Sequence, residues 1–301
     1  MKSIMYHYVR EKSAKYPYSR HEEIDNFEKN CQIINSKYTA LNVSEGLMIR
    51  DLDNIILLTF DDGLKDHLKV AELLSENGLK GTFYIPVQPY IKKDILPVHK
   101  AHLICSKVGG ECLKLLKETI NKLGYQSKEI FVKEDISKYV EKYNNHYDDL
   151  RIKEFKRIIN YYGQINLREK ILNEILIKLG INNNPHEFYL TSNEIKHIDS
   201  LGHEIGSHGL SHNLLSRLDS ESQKKEIKLS KNFLESIIKK KVSSFCYPFG
   251  TKDSYSSETI KFLKRYNYDN AVSVEYRDIN LNDLINKKFE IPRYDCKNFN
   301  F

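Results

Sequence analysis

The chain has 301 residues, 40% of them hydrophobic and 29% charged, which is enough apolar material for a sizeable core and excludes disorder or a coiled coil. Its 47 Lys and Arg are interleaved with 41 Asp and Glu, so the net charge of +6 does not indicate a nucleic-acid-binding protein. No apolar run approaches the roughly 18 residues that span a bilayer, and the N-terminus lacks a signal-peptide core, so we expect a cytoplasmic protein without a transmembrane segment.

Short apolar runs recur along the chain, and each one ends in polar or small residues. Several are apolar at every position, as in strands that are buried on both faces of a parallel sheet. Helical patterns lie between them, the clearest at 67–77 and 220–241. The alternation predicts a parallel α/β sheet, open or closed. The predicted strands are Ser3–Tyr8, Ile55–Thr59, Thr82–Pro86, Glu204–Ser207, Ser244–Tyr247, Ala271–Val274 and Glu290–Arg293.

The stretch from about residue 88 to about 186 interrupts this alternation. It is largely helical and polar, with its clearest helices at Glu111–Leu123 and Arg168–Leu179. We interpret it as a mostly helical insertion into a single domain that spans residues 1–301. Such an insertion either stabilises the domain or forms a lid over its mouth, and the sequence favours neither.

Polar residues cluster at the C-terminal ends of the predicted strands. His7 lies near the end of the first, Asp61 and Asp62 follow the second, His208 follows another, and Arg293 closes the last. Barrels of parallel strands carry their chemistry at this end, because the loops there converge on one mouth. The pattern therefore predicts a barrel-like enzyme.

Two segments carry the residue types of a metal site. Asp61-Asp62-Gly63 places two carboxylates after a buried strand, although the same tripeptide is common in ordinary turns. His208 and His212 are four residues apart in a glycine-containing loop, within chelating reach of one ion. One Asp with two His gives three ligands and an open position, the arrangement of a catalytic divalent metal. The five cysteines include no CxxC pair, so a Cys-based zinc site is not expected.

Three motifs in this order resemble the polysaccharide deacetylase family (NodB homology, carbohydrate esterase family 4). They are Thr59–Gly63, Gly202–His208 running on to His212, and Phe245–Gly250. The resemblance covers roughly residues 1–87 and 187–295. It implies a deformed (β/α) barrel of about seven parallel strands, and an enzyme that removes N-acyl groups from amino sugars with a divalent metal, most often Zn²⁺.

The resemblance also implies roles for individual residues. Asp62, His208 and His212 would bind the metal, and Asp61 would be the general base. A backbone N–H near Phe249 would face the oxyanion. Tyr247, Pro248 and Phe249 would form the wall of the substrate groove, where a sugar ring could stack.

Two features depart from the common pattern of the family. Cys246 stands where many members have an Arg that tethers the base, and the late Leu-x-His that supplies an acid is not visible. Met5-Tyr6-His7 and Ile291-Pro292-Arg293 instead resemble a subgroup with an N-terminal Met-Tyr-His strand and a Tyr-Pro-Phe-Gly motif. We therefore expect Arg293 to hold Asp61, and His7 to support the site or act as its acid.

The leading hypothesis is a metal-dependent carbohydrate N-deacetylase. Its substrate would be an N-acyl, most often N-acetyl, amino sugar in a precursor of a surface glycan, whether nucleotide-linked, lipid-linked or an oligosaccharide. One alternative is a deformylase that acts on a lipid-linked amino sugar. Another is a catalytically inactive carbohydrate-binding protein, against which the intact acidic pair and two histidines argue. The sequence leaves the oligomeric state open.

Overall fold

The computed structural model describes residues 1–126, 140–144 and 148–299. The chain divides into two compact units. Unit 1 comprises Met1–Glu11, His21–Lys93 and Pro185–Phe301, and unit 2 comprises Lys12–Arg20 and Asp94–Asn184. All of the site residues predicted from the sequence lie in unit 1. Within the described ranges, we find no helix with the length and apolar character that crossing a membrane requires.

Unit 1 is built on one curved sheet whose strand pairs are all parallel. Its order is β10-β1-β5-β6-β7-β8-β9, and β4 pairs with the first half of β5. A small second sheet pairs β2 with β3. The strands are β1 Lys2–Tyr6, β2 Val9–Arg10, β3 Glu22–Glu23, β4 Thr39–Leu41, β5 Ile55–Phe60, β6 Thr82–Ile85, β7 Glu204–Ser207, β8 Ser244–Cys246, β9 Asn270–Val272 and β10 Tyr294–Asp295.

The last segment of the chain links the two edges of this sheet. Ile291 forms a parallel bridge with Val272 of β9, and Tyr294 pairs with Ile4 of β1. The predicted fold, a deformed (β/α) barrel of about seven parallel strands, is therefore confirmed. The predicted strand Glu290–Arg293 is displaced, because Pro292 has no N–H for a ladder and regular pairing begins only at Tyr294.

Helices pack on the outside of the sheet in unit 1. The helices predicted at 67–77 and 220–241 occupy His67–Glu76 and Ser220–Ile238. The other helices of this unit are Ile24–Lys37, Val43–Gly46, Gln88–Lys92, Pro185–Phe188, Ser192–Ser200, Ser257–Arg265 and Leu281–Asn286. Stacked aromatic rings fill the centre of the core: Phe60 lies between Tyr6 and Phe83, with centroid separations of 5.3 and 4.7 Å.

His203 is a buried histidine with a structural, hydrogen-bonding role. Its ring is buried before β7, where one nitrogen lies 2.9 Å from the Ala71 carbonyl and the other accepts from the Gly81 N–H. Burial lowers the pKa of His203, so the neutral ring is favoured.

Unit 2 is helical in its described part. Its helices are Pro97–Val108, Cys112–Lys122, Leu150–Arg157 and Ile165–Lys178, with a π-helical turn at Ile158–Tyr162. The predicted helices Glu111–Leu123 and Arg168–Leu179 thus exist with slightly different ends. A buried Lys100 ammonium binds Asp94 and Asn173 at 2.6 and 2.7 Å. The predicted insertion also contains 127–139 and 145–147, which lie outside the described residues.

The helix Ile24–Lys37 depends on one aromatic side chain. Phe27 is fully buried and meets the Tyr6 ring edge-on at 5.3 Å. We expect Phe27→Ala to lower the free energy of unfolding by about 3–5 kcal/mol, since it leaves a cavity under the helix. Chemical denaturation measures this value. Ile285→Ala, at a side chain that is 65% exposed, is the control and should change stability by less than about 0.5 kcal/mol; equal effects would contradict the assignment.

Candidate active site

Two adjacent buried carboxylates follow β5 and point to different partners. The Asp61 N–H donates to the Tyr6 carbonyl at 2.9 Å, which continues the pairing of β5 with β1. Asp62 then takes a left-handed backbone conformation, with φ 82°, and Gly63 follows at 59°. The two side chains have different partners, Arg293 for Asp61 and the histidines for Asp62, although each residue is only 2% exposed.

Asp62 converges with two histidines from the loop after β7. Its Oδ1 atom lies 3.5 Å from His208 Nε2 and 3.3 Å from His212 Nε2. One ligand atom from each of the three residues lies within 4.8 Å of the others, and all three side chains are buried. The structure therefore brings together the three residues that the sequence placed at a metal. Their role as ligands stays a prediction.

The donor set fits a divalent transition metal. A carboxylate with two imidazoles suits zinc and its neighbours in the first row, and the fourth position stays open for water or substrate. His208 Nδ1 lies 2.9 Å from the Cys246 carbonyl, which accepts its N–H and leaves Nε2 as the ligand atom. This hydrogen bond is the orienting contact that metal-binding histidines commonly make. The three residues thus form a candidate metal site.

Arg293 grips Asp61 through both of its terminal nitrogens. The two bonds to Oδ1 and Oδ2 measure 2.8 and 2.9 Å, and the guanidinium is fully buried. Two further donors bind the Thr59 hydroxyl and the Ser273 carbonyl. Burial alone raises the pKa of Asp61, but the charges of Arg293, His208 and His7 outweigh it and lower this pKa to about 2. The carboxylate is therefore ionised at neutral pH.

Cys246 stands beside this ion pair and contacts both partners. Its thiol donates to Asp61 Oδ2 at 3.3 Å, and its sulfur accepts from the Arg293 guanidinium at 3.0 Å. Burial raises the pKa of the thiol, so a neutral S–H is favoured. Cys246 is thus a small hydrogen-bonding side chain, and the guanidinium beside it comes from Arg293, 47 residues further along the chain.

His7 follows β1 and lies at the edge of the metal cluster. Its Nε2 is 4.0 Å from Asp62 Oδ2, and 37% of its side chain is exposed. The buried His67 ring donates to the His7 carbonyl at 2.9 Å and so fixes the backbone there. His7 can reach both solvent and the cluster, as a proton donor to substrate must. Its role stays a prediction.

The structure buries two of the three residues of the predicted substrate wall, and the wall stays a prediction. Tyr247 is 1% exposed, stacks on Tyr255 at 3.8 Å and donates its hydroxyl to the Phe289 carbonyl, so it belongs to the core. Pro248 is also buried. Only Phe249 is partly exposed, and its ring meets His212 edge-on at 5.1 Å. The motif follows a strand buried on both faces, which turns its first side chains inward.

Two residues of the site were not singled out from the sequence. His67 holds the His7 backbone, and Glu226 accepts hydrogen bonds from the loop between His208 and His212. A signal for Glu226 exists: it lies on the inward stripe of a helix, with Ser230 and Leu234 four and eight residues later. A carboxylate on such a stripe needs buried partners. No comparable signal marks His67.

Comparison with known proteins agrees with the motifs. The sequence pattern of the polysaccharide deacetylase family matches residues 160–271, a stretch that contains His208, His212 and the Tyr247-Pro248-Phe249-Gly250 motif but not Asp61 or Arg293. No curated protein sequence matches the chain.

Three solved structures with a similar fold are described as deacetylases. The Streptococcus pyogenes deacetylase PplD, in complex with acetate, has a TM-score of 0.59 and 15% identity, over 98% of this chain and 91% of that one. A polysaccharide deacetylase from Bacillus cereus has a TM-score of 0.57 and 16% identity; the match covers 98% of this chain but only 64% of that one. A de-N-acetylase from Aggregatibacter actinomycetemcomitans has a TM-score of 0.54 and 9% identity, over 100% and 96%.

At these identities the structural likeness establishes the fold. Together with the family's sequence pattern, it confirms the resemblance to the polysaccharide deacetylases and the NodB-like barrel. The subgroup indicated by Met5-Tyr6-His7 stays a prediction.

The Arg293–Asp61 pair generates a stability prediction. Arg293→Met should destabilise the protein by about 3–5 kcal/mol, because it leaves the Asp61 charge buried without a partner. Adding Asp61→Asn should recover a large part of that loss, since the uncompensated charge is then gone. Chemical denaturation of the two single variants and the double variant measures the coupling. Additive losses would contradict the pairing.

Proposed function

We propose that this chain is a metal-dependent hydrolase that removes an N-acyl group, most often N-acetyl, from an amino sugar in a precursor of a surface glycan. One observation carries the proposal: a buried Asp-His-His cluster lies next to a second buried carboxylate that an arginine holds ionised. A binding protein has no need of a base beside a metal. The acetate in the PplD complex and the de-N-acetylase among the similar folds support the acyl group.

Asp62, His208 and His212 are the residues that would hold the metal. A divalent metal bound there, most often Zn²⁺, would act as a Lewis acid on the acyl carbonyl and lower the pKa of water at the site. His208 is held for this role by its bond to the Cys246 carbonyl, and the Phe249 ring covers His212. The protein thus supplies an oriented, partly water-excluded set of ligands.

Asp61 is the proposed general base. Its carboxylate lies within 4.8 Å of a His208 ring nitrogen, so it faces the same small volume as the metal ligands. It would accept a proton from water as the water oxygen adds to the acyl carbon. Arg293 holds both carboxylate oxygens and so fixes the direction in which the carboxylate accepts. His7 would donate a proton to the departing amine, and a backbone N–H near Phe249 would face the oxyanion.

The resemblance to the family and the residues of the site support the proposed substrate class. An amino sugar attached to a nucleotide, a lipid or an oligosaccharide presents the required amide, and the half-buried Phe249 offers one aromatic surface beside the ligands. Unit 1 carries all of these residues, and we propose that 88–186 is an insertion in this single catalytic domain. A deformylase would use the same site, so released acid identifies the acyl group.

The metal ligands give the central test. A panel of N-acetyl and N-formyl amino sugars, free, nucleotide-linked and oligomeric, is assayed for released acetate or formate with and without chelator. We expect chelation to abolish release and added Zn²⁺ to restore it. Ala at Asp62, His208 or His212 should remove bound metal and activity together. His197→Ala, at a half-exposed histidine outside the site, is the control. Full activity of metal-free protein would refute the proposal.

A substitution of Asp61 tests whether it is the base and Asp62 the metal ligand. Asp61→Asn should keep bound metal close to the wild-type level yet lower turnover by about 10²- to 10⁴-fold, the usual contribution of a positioned base. Metal content by elemental analysis and acid release on the best substrate of the panel measure the two effects. If the Asn variant instead loses its metal, the roles of Asp61 and Asp62 must be exchanged.

A further inference from the structure

The loop between the two histidines is attached to a carboxylate on a neighbouring helix. Glu226 lies on the inward face of the helix Ser220–Ile238 and is only 5% exposed. Its Oε2 accepts the N–H groups of Leu210 and Ser211 at 2.8 and 2.9 Å, and its Oε1 accepts the Ser211 hydroxyl. Among the residues that the structure describes, Glu226 forms no ion pair with a Lys or Arg.

The backbone carbonyls of the same loop are bound by the segment that follows β6. The Gly209 and Leu210 carbonyls accept from the N–H groups of Val87 and Gln88, which follow β6. The loop is therefore held between two anchors, with its N–H groups directed to Glu226 and its carbonyls to the end of β6. Two successive N–H groups that meet one oxygen form an anion-binding nest, which a carboxylate fills well.

Two residues of the loop have left-handed backbone conformations. Gly209 has a φ of +74°, and a Cβ atom there would lie 3.3 Å from Glu226 Oε2. His212 has a φ of 56°, which a side-chain-bearing residue adopts only when its surroundings hold it. Both His208 and His212 lie within two residues of the atoms that Glu226 binds.

We propose that Glu226 is a positioning residue for the metal centre. The length of its side chain is what matters. Its carboxylate holds Leu210 and Ser211 so that the imidazoles of His208 and His212 converge on Asp62. This inference rests on the proposed function, because it presumes that these three residues bind a metal.

Two substitutions of Glu226 separate the effect of side-chain length from the effect of charge. Glu226→Gln keeps the length of the side chain, and its amide oxygen can still accept both N–H groups while its NH₂ donates to the Ser211 hydroxyl. Glu226→Asp keeps the charge but withdraws the carboxylate by one C–C bond, about 1.5 Å. Glu221→Ala removes an acidic residue from the same helix whose side chain is 74% exposed, and it serves as the matched control.

The metal-free proteins are titrated with Zn²⁺ alone against a chromophoric chelator, and with Co²⁺ while its visible spectrum is recorded. We expect Glu226→Asp to bind Zn²⁺ about 10- to 100-fold more weakly, as is typical when a residue that orients ligands is lost. Its Co²⁺ bands should shift, because the imidazoles no longer converge as before. Glu226→Gln should stay within a few-fold of the wild type, with its spectrum unchanged, and Glu221→Ala should match the wild type.

The outcomes distinguish this inference from the proposed function. If the wild type binds Zn²⁺ and the Asp variant binds it equally well with the same Co²⁺ spectrum, the positioning role is overturned and the metal centre stands. If the Gln variant binds Zn²⁺ more weakly than the Asp variant does, the charge of residue 226 and not its side-chain length determines binding, and the inference is likewise overturned. If the wild type binds neither ion, the proposed metal centre falls and this inference falls with it.

Discussion

The buried ion pair between Arg293 and Asp61 is the interaction on which the candidate site depends. Both charges are removed from water, which is costly unless each is satisfied by a well-placed partner. Here the guanidinium meets both carboxylate oxygens, a hydroxyl, a carbonyl and a sulfur, so its donors are used throughout. Asp61 follows β5, and Arg293 lies in the segment that links β9 to β1. The segment that joins the two sheet edges therefore also orients the proposed base.

This pair also explains how neighbouring carboxylates can serve different purposes. Two acids in sequence would repel each other if they shared an environment. Because the backbone is left-handed at Asp62, the Asp61 carboxylate contacts the Arg293 guanidinium, and the Asp62 carboxylate contacts the imidazoles of His208 and His212. Left-handed backbone recurs at His212 and at Phe249, whose ring contacts that of His212. Each such residue costs about 1–3 kcal/mol and persists only because its surroundings hold it, as the contacts of Glu226 with the His208–His212 loop illustrate.

The differences between expectation and structure have physical causes. The family resemblance implied that Tyr247 lines a substrate groove, but here the Tyr247 ring stacks on Tyr255 and lies in the core. The last strand was placed at 290–293 from its apolar character, yet pairing also needs N–H donors, and Pro292 has none. Both differences concern how a short segment is oriented in the fold: where the Tyr247 side chain points, and where strand pairing begins after residue 290. Local composition specifies neither.

The sequence by itself determined the strands, the order of the motifs and the residue types of the site. It could do so because parallel strands buried on both faces leave apolar runs, and because one Asp with two His near the ends of such strands is the residue set of a divalent metal site. It also indicated Arg293 as the partner of Asp61, because position 246 has a cysteine where the common pattern of the resembled family has an arginine. Only the tertiary structure decided the rest: the thiol contact of Cys246, the burial of Tyr247, the hold of His67 on His7 and that of Glu226 on the histidine loop. These contacts join residues far apart in the chain, and whether two such side chains meet depends on the packing of the whole barrel, which no local pattern encodes.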